Sequence, residues 1–242
     1  MATQEGEQVS KDADRTANNS HDNVVRNKVR NFFERTATSF DRLYGESPSI
    51  VRWVNRTVRR SLYERSRIAL DEVRRLGNPT VLDIGTGSGV NALAMLEAGA
   101  RFVLGLDFSG SMLKLARDRA AEANVADQCQ FISAEFMSWE TDQVFDLCTA
   151  LGVLDYIAEG QAFVTKAMRL TRGSVVMSCP GRDFIRRPIR WARYAIRGCP
   201  LYFYDSDEVT AWVKAAGAAE VEIPFRDRSG FILVARRGQE SR

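Results

Sequence analysis

The fold is decided by one short stretch of this 242-residue chain, Val81-Leu82-Asp83-Ile84-Gly85-Thr86-Gly87-Ser88-Gly89. Its apolar start predicts a buried strand, and the pattern from Asn91 to Ala98 predicts a helix after it. Glycines at alternate positions permit a tight turn and let backbone amides approach a ligand closely. Asp107 ends the next predicted strand, where a carboxylate can accept both hydroxyl groups of a ribose. The stretch therefore predicts a nucleoside-binding site between a strand and a helix.

The pattern of strand, loop and helix continues after residue 79. Strands are predicted at 80–84, 102–106, 129–133, 144–151, 174–179, 220–224 and 231–235, and helices at 91–98, 111–122, 160–170 and 206–216. This alternation is typical of a parallel sheet with helices on both faces. The last two strands are about five residues apart, so we expect a hairpin and an antiparallel last strand. The predicted fold class is α/β, with a seven-stranded, mostly parallel sheet.

The chain before this domain divides into two parts. Residues 1–23 are polar and mixed in charge, which predicts a disordered arm. Residues 24–77 predict a helical cover with three helices: one through Val25 and Phe40, one from Ile50 to Leu62, and one from Ile68 to Leu76. Residues 78–242 then form the α/β domain.

Composition excludes several classes of protein. The four cysteines are far apart, and the single histidine, His21, lies in the arm. A zinc ribbon, a histidine-based metal site and a histidine-containing catalytic triad are therefore not expected, and no metal is predicted. The sequence has neither an apolar run of membrane-spanning length nor a signal-peptide core, so we expect a cytoplasmic protein.

Two nucleoside-binding interpretations compete, and a third interpretation is a glycine turn that only links strand to helix. A dinucleotide-binding fold requires G-x-G-x-x-G, but Val90 stands where its third glycine belongs. The pattern D-x-G-x-G-x-G is complete, with Asp83 as its acid. It resembles motif I of class I S-adenosylmethionine-dependent methyltransferases, and the resemblance extends over about residues 80–237, including the closing hairpin. It implies a Rossmann-like sheet and S-adenosyl-L-methionine as cofactor.

The resemblance also implies roles for individual residues. Asp83 would contact the methionyl ammonium group, Asp107 the ribose, and Phe108 the adenine. For Glu135, a solvated loop acid is the alternative interpretation. The cofactor-binding residues implied are Asp83, Gly85, Thr86, Gly87, Gly89, Asp107, Phe108, Ala134, Glu135, Phe136, Leu151 and Gly152.

Asp155 and Tyr156 follow the fourth strand and are the candidate catalytic residues, since no histidine is available as a base. An N-cap of the next helix is the alternative interpretation of Asp155. The N-terminal cover is loosely similar to that of quinone-biosynthesis, malonyl-carrier and magnesium-protoporphyrin methyltransferases, which implies that Phe40 and Tyr44 contact the cofactor or the acceptor. Packing of the cover on the core is the alternative interpretation of these two residues.

Residues 182–205 predict an inserted basic helix. Arg182 to Arg197 holds six arginines and one acid, although the net charge of the chain is only +3. Such a helix can bind an acidic substrate or an anionic membrane surface, and a solvated basic lid is the plainer interpretation. Arg186 and Arg190 are predicted substrate contacts, as are the aromatic residues Tyr202 and Tyr204.

We therefore expect a methyltransferase that acts on an oxygen or nitrogen of a small, apolar or anionic metabolite. One alternative is the same chemistry on a lipid or lipid-linked acceptor at the membrane surface. Another is a non-catalytic cofactor-binding protein. No Asn-Pro-Pro-Tyr follows the fourth strand, so nucleic acid is not an expected partner. The oligomeric state is left open.

Overall fold

The computed structural model describes residues 51–181, 201–228 and 230–238, with side chains from residue 60. The helices in these ranges are α1 (Val51–Leu76), α2 (Val90–Glu97), α3 (Gly110–Glu122), α4 (Gly160–Arg169) and α5 (Ser206–Ala215). The strands are β1 (Thr80–Ile84), β2 (Phe102–Asp107), β3 (Cys129–Ser133), β4 (Phe145–Ala150), β5 (Thr171–Pro180), β6 (Glu220–Asp227) and β7 (Gly230–Arg236). The predicted arm, the first predicted cover helix and residues 182–200 lie outside the described residues.

The strands form one sheet in the order β3-β2-β1-β4-β5-β7-β6. Strands β1 to β5 are parallel to one another, and β7 is antiparallel to both β5 and β6. The prediction of a mostly parallel, seven-stranded sheet with an antiparallel last strand is confirmed. Strand β2 lies on one side of β1 and strand β4 lies on the other, so the strand order reverses direction at β1. The carboxyl ends of β1 and β4 therefore flank a topological switch point, where open α/β sheets bind ligands.

The core lies on both faces of the sheet. On one face, Leu82 and Ile84 of β1 belong to a buried cluster with Phe163 of α4 and Val209 of α5. On the other face, the preceding Val81 belongs to a cluster formed with α1, α2 and α3. Because side chains alternate along a strand, a nearly continuous apolar run such as β1 supplies both clusters.

One long helix replaces the two helices predicted between residues 50 and 76. The expected break between Leu62 and Ile68 does not occur, because this interval holds no glycine or proline. Arg67 also donates to Glu64 and to Asp71, both at 2.8 Å, and such pairs support a continuous helix. Ile68 is buried in the core of the sheet, so this part of the predicted cover packs within the α/β unit. The predicted boundary at residue 78 stays a prediction.

A buried carboxylate anchors α1 to the sheet. Glu72 Oε1 accepts a 2.6 Å hydrogen bond from Arg236 Nη2 of β7, and its Oε2 accepts one at 2.8 Å from Arg75 Nε. Burial opposes ionisation of Glu72, but these bonds outweigh it and hold its pKa below the ordinary value. The anchor therefore stabilises the fold above the unfolded-state pKa, and its contribution is lost as the pH falls through the lower folded-state pKa.

Replacing Glu72 with alanine should lower the free energy of unfolding by about 3 kcal/mol at pH 7, because it breaks a buried ion pair. Urea denaturation measures this, and the difference from the wild type should shrink at about pH 3. The matched control is Asp71→Ala on the same helix, since the Asp71 side chain is 50% exposed and its ion pairs are superficial. Equal stability of the two variants at neutral pH would contradict the anchor.

Candidate functional site

The glycine turn between β1 and α2 is held against the end of β2. Gly85 N and Thr86 N both donate to the carbonyl of Leu106, at 2.8 and 3.0 Å. Gly85, Gly87 and Gly89 have φ values of 69°, 54° and 78°, a left-handed conformation that favours glycine. The alternate glycines are therefore required by the backbone of the turn.

Close approach of neighbouring groups is a second reason for two of these glycines. A methyl group at Gly85 would lie 2.3 Å from Val153 Cγ2, and one at Gly89 would lie 2.9 Å from Ala116 Cβ. Val153 follows β4 and Ala116 belongs to α3, so the turn is packed between the switch point and the next helix. A larger residue at either position would displace the turn from this edge.

Buried polar atoms without partners lie beside the turn. Asp83 of β1 is buried, and its Oδ1 accepts a 2.6 Å hydrogen bond from Thr149 Oγ1. Its other oxygen, Oδ2, and the hydroxyl oxygen of Thr86 have no hydrogen-bond partner within the described part of the chain. Because buried polar atoms in folded proteins are almost always hydrogen-bonded, these two indicate a place for a polar ligand group.

The charge state of Asp83 is set by this environment. Burial raises the pKa of its carboxyl to about 6. The hydrogen bond from Thr149 and the nearby hydroxyl group of Thr86, which lies outside hydrogen-bond geometry, oppose the shift, and the negative charge of Asp107 adds to it. A positively charged ligand group would compensate the buried carboxylate.

Asp107 is the last residue of β2 and is oriented by two backbone amides. Its Oδ2 accepts from Gly87 N and its Oδ1 from Ser109 N, both at 2.9 Å. A carboxylate oxygen has more than one lone pair, which is compatible with binding a diol. Phe108 follows and is partly buried. The predicted acid and the predicted glycine turn are thus brought together at one edge of the sheet.

The loop after β3 differs from its prediction in two side chains. Glu135 uses its carboxylate within the loop, where it accepts from Met137 N at 3.0 Å and from Ser138 N at 2.9 Å. The Phe136 ring is buried and packs edge to face on Phe163, with ring centroids 4.9 Å apart. Its ring is therefore not available to a ligand, contrary to the prediction. Ala134 N donates to the carbonyl of Asp107 at 3.0 Å, so the loop begins beside that acid.

The segment after β4 holds the predicted Leu151 and Gly152, both partly exposed. Gly152 N donates to the buried Ser178 Oγ at 2.7 Å, and Gly152 has a φ of 85°. A methyl group at Gly152 would lie 3.0 Å from Arg65 Nη1. Arg65 of α1 thus reaches the carboxyl end of β4.

Sequence reasoning missed Arg65 as a site residue. Its Nε is buried without a hydrogen-bond partner within the described residues. It stands among many arginines in α1, and nothing in the local pattern distinguishes it from Arg67, which forms ion pairs with Glu64 and Asp71. Only the packing of α1 against the sheet identifies it. The result is a guanidinium group available to an anionic ligand at the switch point.

Asp155 and Tyr156 lie in a short 3-10 turn, Leu154–Tyr156, directly after the end of β4. Asp155 is 4% exposed, and its carbonyl accepts from Tyr202 N at 2.8 Å. Asp155 is not the N-cap of α4, because that position belongs to Glu159. The helix-cap interpretation of Asp155 is therefore wrong, and its carboxyl group lies at the same edge as the glycine turn.

Tyr204 is a structural residue rather than an exposed substrate contact. It is buried, its hydroxyl donates to the carbonyl of Ile157, and its ring packs edge to face on Trp212 at 5.5 Å. Burial raises its pKa to about 12. This buried position does not support the predicted substrate contact of Tyr204, whereas Tyr202 is only partly buried.

The other predicted acceptor contacts, Phe40, Tyr44, Arg186 and Arg190, lie outside the described residues. Among the described residues, no group of three or more His, Cys, Asp or Glu side chains is arranged to hold a metal ion. None of the helices in the same ranges is both long and apolar enough to cross a membrane.

Comparison with known proteins gives one consistent result. Residues 81–173 match the family model described as a methyltransferase domain. A ubiquinone biosynthesis O-methyltransferase of Pseudomonas paraeruginosa is 30% identical over 158 residues, which cover 61% of this chain and 68% of that protein. The corresponding protein of Pseudomonas fluorescens strain SBW25 is 27% identical over 164 residues, or 64% of this chain and 70% of that one.

Solved structures agree in fold. The magnesium protoporphyrin IX methyltransferase of Synechocystis PCC 6803 with bound SAH superposes with a TM-score of 0.71 at 20% identity. The match covers 87% of this chain and 98% of that one. Its complex with SAM gives a TM-score of 0.68 over 87% and 95% of the two chains, also at 20% identity.

Proposed function

Because the chain belongs to the class I S-adenosylmethionine-dependent methyltransferases, we propose that it methylates an oxygen of a small, apolar or anionic molecule. The protein is an enzyme, and its methyl donor is S-adenosyl-L-methionine. When bound, this cofactor supplies an electrophilic methyl group on a sulfonium ion. The protein contributes binding, orientation and exclusion of water.

The residues at the switch point fit this cofactor. Asp83 Oδ2 is a buried acceptor without a partner, which suits the methionyl ammonium group. Asp107 suits the ribose hydroxyls, since both of its oxygens are already aimed by backbone amides. The left-handed turn at Gly85 and Gly87 lets the main chain approach the ligand.

Arg65 suits the methionyl carboxylate. Its guanidinium group contacts Gly152, on the side of the site opposite Asp107 along the strand order β2-β1-β4. A ligand with the ribose at Asp107 and the amino acid end at β4 would span this distance. The carboxylate would then partner the Nε that the described residues leave unsatisfied.

Replacing Arg65 with leucine should weaken binding of S-adenosylhomocysteine by about 10- to 100-fold, because a hydrogen bond to a charged group contributes about 1.5 to 3 kcal/mol. Binding of 5′-methylthioadenosine, which has no carboxylate, should change by less than about threefold. Calorimetry measures both ligands. The matched control is Arg67→Leu, two positions along α1, where the side chain pairs with Glu64 and Asp71 on the outer face. Equal weakening of both ligands would count against the carboxylate contact.

The observation that carries the acceptor proposal is the burial of Asp155 beside partly buried apolar side chains. Val153, Ile157 and Tyr202 pack on the core around it, next to the proposed position of the methionine portion. Such surroundings favour an apolar acceptor, and a buried carboxylate can take the proton from an acceptor hydroxyl. The relatives named as ubiquinone biosynthesis O-methyltransferases support oxygen as the methylated atom.

The test is methyl transfer by the purified full-length chain from isotope-labelled S-adenosylmethionine. The acceptor panel should hold phenols and catechols with and without a carboxylate, aliphatic amines, and simple carboxylic acids. We expect products that gain one CH2 unit from the phenols and catechols. Asp107→Ala is the control for cofactor-dependent transfer. Labelling of amines alone would overturn the choice of oxygen, and no labelling in the presence of measurable cofactor binding would overturn the acceptor class.

Contact with an anionic membrane is a separate proposal that rests on the arginine segment in the sequence. The described Gly181 and Leu201 flank residues 182–200, and Gly181 directly follows the carboxyl end of β5. Flotation with phosphatidylserine vesicles should recover the protein at low salt and release it at high salt. Absence of salt-sensitive flotation would overturn the membrane contact and leave the proposed acceptor unaffected.

A further inference from the structure

The loop that follows β3 is one helical turn whose two ends are held by opposite charges. The carbonyl of Glu135 accepts from Ser138 N at 3.2 Å and from Trp139 N at 2.9 Å, which closes the turn. The Glu135 carboxylate accepts from the amide of Met137 and shares the amide of Ser138 with the Glu135 carbonyl. Because amides at the start of a turn carry partial positive charge, a carboxylate there is stabilising.

A lysine from another element holds the opposite end of this turn. Lys166 of α4 is 9% exposed, and its Nζ donates to the carbonyl of Met137 at 3.1 Å and to the carbonyl of Trp139. It also donates to Glu140 Oε1 at 3.1 Å. These contacts use all three donors of the ammonium group. A buried lysine with this set of partners fixes the path of the loop backbone.

The position of the loop links it to the cofactor site. Ala134, its first residue, donates its amide to the carbonyl of Asp107, the acid proposed to bind the ribose. The base of a bound nucleoside would therefore lie along this turn. The Phe136 ring packs in the core and lies 5.4 Å from Lys166 Nζ, so the lysine holds the turn on its core side.

We infer that Lys166 is a positioning residue for the adenine end of the cofactor site, acting through the backbone of residues 135–140 without touching the cofactor. The inference rests on the proposed cofactor position. The consequence is selective. Loss of the ammonium group makes the turn less well ordered and weakens binding of the adenine, but it does not change the position of the sulfonium end. Affinity for adenosine-containing ligands then falls while the rate constant for methyl transfer is kept.

Replacing Lys166 with methionine keeps most of the apolar stem and removes the three donors. We expect the Kd values of S-adenosylhomocysteine and of 5′-methylthioadenosine to rise together by about tenfold, in the range for lost hydrogen bonds to a charged group. The KM for S-adenosylmethionine should rise by a similar factor, and kcat at saturating cofactor should stay within about threefold. This pattern differs from that of Arg65→Leu, which should affect only the ligand with a carboxylate.

Two controls keep the test decisive. Arg169→Met removes a cation of the same helix that is 61% exposed and, among the described residues, pairs only with Glu140, at 3.6 Å, so both Kd values should be unchanged. Lys166→Arg keeps the charge and several donors and should retain affinity within about threefold; it also serves if the methionine variant does not fold. Unchanged affinity in Lys166→Met, or a fall in kcat with unchanged Kd, would overturn the inference. Failure of the wild type to bind either ligand would instead overturn the proposed cofactor site.

Discussion

Replacing Asp107 with alanine should raise the Kd of S-adenosylhomocysteine by about 100-fold or more. Two ribose hydroxyls would each lose a hydrogen bond to a carboxylate, and such bonds contribute about 1.5 to 3 kcal/mol each, where 1.4 kcal/mol is a factor of ten. The amides of Gly87 and Ser109 would lose the same acceptor, so the glycine turn would also be less well held. Calorimetric titration with S-adenosylhomocysteine measures the effect.

The matched control for Asp107 is Asp118→Ala on α3. The Asp118 side chain is 50% exposed and pairs with Lys114 at the surface, so its loss should leave the Kd unchanged. Asp107→Asn is an informative second variant. Its amide nitrogen is a donor and would face another donor, Gly87 N or Ser109 N, so this variant should also bind S-adenosylhomocysteine more weakly. Wild-type affinity in both Asp107 variants would remove the ribose contact and with it the proposed orientation of the cofactor.

The central part of the fold was predictable because its signals are local. Strand β1 and the turn after it lie within a single run of residues, in which apolar strand, alternate glycines and helix follow each other directly. Strand β3, Cys129–Ser133, has the predicted bounds. The hairpin was predicted from its spacing, but the strands extend until Asp227 pairs with Gly230, which leaves a tighter connection than expected. Pairing between strands decides such ends, and a single sequence does not display it.

The long-range parts of the site could not be read from local pattern. Arg65 and Lys166 look like ordinary helix residues, and their partners at Gly152 and at Met137 are far away in the chain. Tyr204 shows the opposite case, a residue that the sequence assigned to the site. Its hydroxyl instead donates to the backbone carbonyl of Ile157. Whether such a residue contacts a ligand or packs in the protein depends on the tertiary structure, which local sequence does not show.

For Glu135, the sequence predicted its position in the loop after the third strand but not the partner of its carboxylate. The sequence indicated a loop acid after the third strand, with the cofactor and solvent as alternative partners. The structure shows a third use, because the carboxylate binds amides of its own turn. Acidic side chains can satisfy nearby backbone donors in this way, and the choice depends on loop conformation rather than on residue type.

Cofactor binding should depend on pH through Asp83. Burial raises the pKa of this carboxyl to about 6 in the free protein, so it is largely neutral at about pH 5 and charged at about pH 8. Only the charged form attracts the methionyl ammonium group. Affinity for S-adenosylhomocysteine should therefore rise by about fivefold as the pH increases from about 5 to 6, reach about tenfold by about pH 7, and level off above that. His21 is the only histidine of the chain, so no other histidine titrates in this range.

The Asp83→Asn variant separates binding from stability. The sign for the free protein is opposite to that for binding: a carboxyl whose folded-state pKa is raised loses stability as the pH rises from about 4 through 6, because a buried charge forms. Asparagine still accepts from Thr149 but never ionises. The variant should therefore be more stable than the wild type at about pH 8, by about 1 to 3 kcal/mol in urea denaturation, and yet bind S-adenosylhomocysteine at least about tenfold more weakly with no pH dependence. A variant with wild-type affinity and the wild-type pH profile would place the ammonium group away from Asp83. A variant that is less stable at about pH 8 would contradict the buried charge.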